Sequence, residues 1–301
     1  MSLFLIILPV LIVFSIGFIG QKCIGFDIKS ISTAALYLMS PFLAFRTFYT
    51  TPLTKDYLYI AIFAITLTVV LFLCTWAISI LLNASRSEFS AMILGAVFMN
   101  SGNYGAPVVL FALGAAGFDI AVIIMILHSL LMNSLGIFFA SIGGSKKATI
   151  QQSIQKVLRM PLIYAALAGI TLEFYHITIP KTVMDGVSLV AEASIPTVML
   201  VLGMQLAAIS ASKVNYRLVS VVSIIRIILS PILAAVILSF MPLSSLIKTV
   251  LIIQSAMPSA ANTTMLALQF DTEPDLVSFT TLVTTIISIV SIPVVLYFLG
   301  I

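Results

Sequence analysis

Long apolar runs separated by short polar connections fill nearly all of this chain. A helix needs about 20 apolar residues to cross the hydrocarbon core of a bilayer. Ten runs qualify, at about 3–20, 32–51, 57–82, 88–114, 118–141, 157–175, 186–210, 216–240, 245–270 and 276–299. Lipid offers backbone amides no partner, so each run is expected to be a helix and not an open sheet. The connections leave no room for a separate soluble domain.

Two runs carry polar residues near their centres. The fourth contains "MNSGNYGAP" (Met99 to Pro107) and the ninth "QSAMPSAANTT" (Gln254 to Thr264). Gly102 and Gly105 weaken a helix, and neither Pro107 nor Pro258 can donate to the preceding turn. Backbone groups freed inside a bilayer are tolerable only against protein or a water-filled cavity. Two unwound stretches are therefore expected side by side at the midplane, lining a cavity. The N-terminal ends of the half-helices would present free N–H groups and partial positive charge, a seat for a carboxylate. Asn100, Ser101, Asn103, Gln254, Ser259, Asn262, Thr263 and Thr264 offer side-chain hydrogen bonds there, and Tyr104 an aromatic wall. A close-packing kink explains one such helix; two at matching positions of a repeat favour a binding site.

The matching comes from an internal duplication. Residues 1–142 can be laid over 157–301, with 143–156 as a cytoplasmic linker. Pro9 falls near Pro161, and "SEFSAMILGAVFMNS" aligns with "SSLIKTVLIIQSAMPS". That register sets Met99-Asn100-Ser101 on Met257-Pro258-Ser259. Each half has an odd number of spans, so the copies must face opposite ways across the membrane, a transporter architecture.

Composition agrees: 61% of residues are hydrophobic and 8% charged, against about 25% charged in a soluble domain. The net charge of +4 matters less than where the charges lie. Lys22, Lys29, Arg86, Lys146, Lys147, Lys156, Arg159, Lys213 and Arg217 fall on one side, and Lys55, Lys181 and Lys248 on the other. The basic side is expected to be cytoplasmic, with both termini outside a plasma (bacterial inner) membrane. The first run lacks a preceding basic residue and a clear cleavage site, so it reads as a retained span. Cys23 and Cys74 have no metal-ligand spacing. No metal, cofactor or nucleic acid is expected. "DTEPD" (Asp271 to Asp275) reads as a solvated turn and helix N-cap.

Few ionisable groups lie within the runs. Arg46, near a span end, reads as a snorkelling side chain. Glu192 and Arg226 are deep enough to be functional candidates, as an ion pair or in ion coupling. His128, five residues before Asn133, is either a proton-coupling group or a buried, hydrogen-bonded histidine.

"NSGNYGAPVVLFALG" in the fourth span, "SIPTVMLVLGMQLA" in the seventh and "QSAMPSAANTTMLA" in the ninth resemble the auxin efflux carrier family. The family includes plant PIN-FORMED exporters and bacterial carriers, some tied to malate or malonate, and is similar in fold to the bile acid sodium symporters. The resemblance implies a scaffold of helices 1, 2, 6 and 7 and an elevator-type transport domain of helices 3–5 and 8–10. Helices 4 and 9 would cross at their breaks, and members are often dimers through the scaffold. The family's fourth-helix asparagine maps onto Asn100 and its ninth-helix proline onto Pro258. Met99 stands where plant members carry proline, so the fourth-helix break is expected to rest on Gly102, Gly105 and Pro107.

The expected fold is therefore all-α integral membrane, with ten transmembrane helices in two inverted five-helix repeats. The expected function is secondary transport of a small organic anion, a mono- or dicarboxylate, with H⁺ or Na⁺ coupling open. The alternatives are a sodium-coupled symporter of the bile-acid type and a ligand sensor that does not transport. Intramembrane proteolysis is disfavoured: no two carboxylates share membrane depth, and there are only two histidines, His128 and His176.

Overall fold

The structure, a computed structural model, describes residues 2–52, 54–145, 151, 155, 157–209 and 214–301. Lys146, Lys147, Lys156 and Lys213, and most of the expected linker, lie outside the described residues. In chain order the helices are α1 Ser2–Ile24, α2 Ile28–Thr50, α3 Asp56–Leu81, α4 Arg86–Ala96 and α5 Ser101–Gly143. They continue with α6 Pro161–Phe174, α7 Lys181–Ala208, α8 Tyr216–Ser239, α9 Ser245–Ser255, α10 Ala261–Phe270 and α11 Pro274–Phe298. Seven of these (α1, α2, α3, α5, α7, α8 and α11) are long and apolar enough to cross a membrane.

The helices are greasy outside and partly polar inside. On α3, Leu58, Ile62, Ile65, Val69, Leu73, Trp76 and Ile80 are exposed. Their three- and four-residue spacing draws one stripe along the helix, the face a lipid solvent would wet. The buried face of α11 instead carries Thr280, Thr281, Thr284, Thr285 and Ser288. These hydroxyls return their hydrogen bonds to carbonyls of their own helix, as Thr280 does to Leu276 and Thr284 to Thr280, so they can be buried without a foreign partner.

α5 is one apolar stretch folded back on itself. Gly114, with φ 69° and ψ −163°, makes the turn, a conformation that favours glycine. The second limb returns far enough for Gly143 to pack against Ser90 of α4. "DTEPD" is likewise a turn, with Asp271 and Glu273 at positive φ. Glu273 takes the N-cap position of α11 but makes no side-chain cap, so the expected capping is absent. Ser145 donates to Asp271 instead.

Three prolines inside helices follow π-helical turns. Pro41, Pro107 and Pro231 each lie two residues beyond a π-helical turn, at Ala35–Met39, Ser101–Gly105 and Ile225–Leu229. A slip to i→i+5 bonding widens the helix where a ring without an N–H must fit.

α1 and α7 pack antiparallel at backbone distance. Gly17 lies against the Leu200 carbonyl and Gly203 against the Phe14 carbonyl. A methyl group at Gly203 would overlap backbone, which cannot rotate away. Gly203→Ala should therefore cost about 1–3 kcal/mol. The check is a lower melting temperature in detergent, with Gly186→Ala, which meets open space, as the control.

Candidate functional site

α4 stops at Ala96 and α5 begins at Ser101; α9 stops at Ser255 and α10 begins at Ala261. The two gaps meet. Asn100 N–H donates to the Pro258 carbonyl at 2.8 Å and Ala260 N–H to the Phe98 carbonyl at 2.9 Å, forming an isolated antiparallel bridge between Met99 and Ser259. Backbone groups freed by each break thus satisfy those of the other. The ladder is centred on Met99 and Ser259, two residues off the repeat register, which sets Met99 on Met257. α4 and α9 are each eleven residues long.

The fourth-span break falls earlier than the glycines and Pro107 suggest. It occupies Val97–Asn100, and Asn100 leaves helical geometry at φ −81° and ψ 63°. Pro107 is the seventh residue of α5, just past the π-helical turn Ser101–Gly105 that accommodates its missing N–H. Gly105 serves close approach: a Cβ there would overlap the Gln254 side-chain oxygen.

Two helix N-termini open at the crossing. Neither Asn100 at the start of α5 nor Ala260 at the start of α10 places a side-chain cap on it. The first turn of any helix leaves N–H groups without intrahelical partners, and the end carries about half a positive charge. The C-termini on the far side are treated differently. Arg226 of α8 is fully buried and donates to the carbonyls of Ala96 and Val97 at 3.0 and 3.2 Å and of Ser255 at 2.6 Å. It also meets Ser230 Oγ, which itself donates to the Ser255 carbonyl. One guanidinium thereby ties together the ends of both half-helices. Two such ends carry about one negative charge in total, which the guanidinium balances.

Glu192 and Arg226 do not pair. Glu192 lies 3.2 Å from Arg46, so Arg46 is an ion-pair partner and not a free snorkelling side chain. Arg226 has no carboxylate within ion-pair distance among the described residues.

A cavity of about 80 Å³ lies against the crossing. Asn100, Ser101, Asn103, Pro107 and Asn262 line it, as does His128. The opposite wall comes from α2 and α7, where Ser40 and Ser194 are 3.3 Å apart and hydrogen-bonded. A wider cavity of about 710 Å³ shares Ser129, Met132 and Asn262 with it, reaches Asn133, Thr264 and Gln205, and ends among Asp27, Lys29 and Asp275.

The other expected site residues stand back from these cavities. Tyr104 is buried with its hydroxyl accepting from Ser288 and its ring against Phe14. Ser259 N–H donates to Thr284, and its hydroxyl donates to the Gly95 carbonyl. Thr263 bonds the Ala260 carbonyl. Gln254 is fully buried, and neither end of its amide has a partner. Tyr104, Ser259 and Thr263 thus spend their polar groups within the protein. Sequence reasoning missed Ser40, Ser129 and Ser194. Ser40 precedes Pro41 and Ser194 precedes Pro196 by two, and polar residues beside prolines in apolar runs are the signal that was available.

A family model described as membrane transport protein matches residues 3–296. Over 211 residues the chain is 28% identical to an uncharacterized transporter of Methanothermobacter thermautotrophicus, a match covering 67% of this chain and 65% of that protein. The chain thus spans slightly less than two thirds of that relative's length. Over 241 residues it is 26% identical to the uncharacterized transporter MJ1031 of Methanocaldococcus jannaschii, covering 75% of this chain and 76% of that one.

Proposed function

The chain belongs to the membrane transport protein family that includes the auxin efflux carriers, and from that premise we propose that it is a secondary transporter of small organic anions. The family is one of transporters, not of enzymes. The observation that carries the substrate class is a charge balance at the crossing. Two uncapped helix N-termini total about one positive charge, and nothing anionic among the lining residues offsets it. Arg226 already balances the C-terminal pair. The missing counter-charge is one carboxylate, held by amide N–H groups with Asn100, Asn103 and Asn262.

The remaining architecture belongs to the same proposal. Ten spans form two inverted repeats, 1–142 and 157–301, and the meeting of the two breaks, each after a half-helix of eleven residues, supports that pairing. Helices of the first, second, sixth and seventh spans form the scaffold, whose wall at Ser40 and Ser194 faces the crossing. The rest moves against it as an elevator. The wide cavity ends beside Lys29, on the more basic side, so the state described is the one open to the cytoplasm, with the termini outside a plasma membrane. Against a sodium symporter, the half-helix C-termini, where a cation would be drawn, already hold a guanidinium.

Proteoliposomes loaded with labelled dicarboxylates or indole acids, under separately imposed pH and Na⁺ gradients, test this. Flux of at least one acid, unaffected when K⁺ replaces Na⁺, is expected. Flux that requires Na⁺ restores the symporter reading, and binding without flux favours a sensor.

A further inference from the structure

Two groups at the crossing cavity are left with unused hydrogen-bonding capacity of one kind. His128 is buried, and its Nε2 accepts the backbone N–H of Met99 at 3.0 Å. A ring nitrogen that accepts is unprotonated, so the proton of the neutral ring sits on Nδ1. Nδ1 is buried and has no partner. Asn100 Nδ2, the donor end of its amide, is also buried without a partner. Both residues line the cavity. An orphaned buried donor is costly while unmet, so an acceptor entering the cavity gains by meeting them.

The ring is poorly placed to become a cation. A proton on Nε2 would face the Met99 N–H and leave that buried donor without its acceptor. The charge whose field reaches the ring is that of Arg226, also positive.

We propose that His128 is a substrate-binding residue, its neutral Nδ1–H donating together with Asn100 Nδ2 to the oxygens of a bound carboxylate. It sets selectivity for acceptor groups and carries no transported proton. This rests on the reading of the crossing as an organic-anion site. A hydrogen bond to a charged group contributes about 1.5–3 kcal/mol, so His128→Ala should raise KM for an acid about 10- to 100-fold with a smaller effect on kcat.

The chain has two histidines, so His176→Asn leaves one ring to observe. His176 lies at φ 53°, which asparagine tolerates. ¹⁵N-histidine NMR of that variant in nanodiscs should show Nδ1 protonated and Nε2 bare. Malonate, succinate or indole-3-acetate should shift the Nδ1 resonance, and the matching amides should not. A proton on Nε2, an imidazolium at neutral pH, or an Nδ1 that no acid moves overturns the proposal. Flux of an acid with Nδ1 unmoved sinks this inference alone; no flux of any acid sinks the anion reading with it.

Discussion

Arg226→Leu should be the most damaging single substitution in the protein. Leucine fills part of the space but leaves the carbonyls of Ala96 and Val97 without their donor and that of Ser255 with Ser230 alone. Each buried acceptor left unmet costs roughly 1–3 kcal/mol, so the sum is about 3–5 kcal/mol after relaxation. The loss is not only in stability. Those carbonyls end α4 and α9, and without the guanidinium two half-helix C-termini repel each other across a dry interior. The variant should melt well below the parent in detergent and yield little folded protein. Arg226→Lys should fall between, because an ammonium is a point charge without the planar fork that spans two helix ends. A leucine variant that melts with the parent would refute this account of the crossing.

Asn100→Ala should spare the fold and sharply reduce transport. The bond that holds residue 100 at the bridge comes from its backbone, Asn100 N–H to the Pro258 carbonyl, and alanine keeps it. The side chain makes no cap on α5, so little stability depends on it. Its buried Nδ2 is unused in the protein and is available only to a ligand. Losing one hydrogen bond to a carboxylate costs about 1.5–3 kcal/mol, a fall of about 10- to 100-fold in kcat/KM. Uptake into proteoliposomes measures it, with the melting temperature as the fold control. A wild-type rate for every transported acid would show that the site lies elsewhere.

Much of this was legible in the chain because lipid leaves few options. Apolar runs of this length in a bilayer can only be helices, and Met99–Pro107 and Gln254–Thr264 announce themselves as polar in an apolar background. That the two breaks lie side by side was legible too, although the bridge joins Met99 to Ser259, two residues off the register that superposes Asn100 on Pro258. The exact place of the fourth-span break was not. Glycine and proline mark where a helix is weak, yet the preceding π-helical turn absorbs Pro107, and the chain opens instead at Val97–Asn100, where Asn100 can donate to Pro258 of the partner break and Phe98 can accept from Ala260.

Charge partners were the least legible. Glu192 and Arg226 looked alike along the chain, two ionisable groups in apolar runs. In space Glu192 reaches Arg46, while Arg226 faces four acceptors that carry no formal charge. Sequence spacing shows which groups are charged; it does not show helix ends, because a half-helix terminus is a charge made by the fold. By itself the sequence determined an all-helical chain with a membrane transporter's polar breaks, since hydropathy and helix-breaking chemistry are local properties. Only the tertiary structure decided that Arg226 closes one side of the crossing and leaves the other bare. It also decided that His128 accepts from Met99. Both depend on which backbone groups from distant segments meet with their hydrogen bonds unmade.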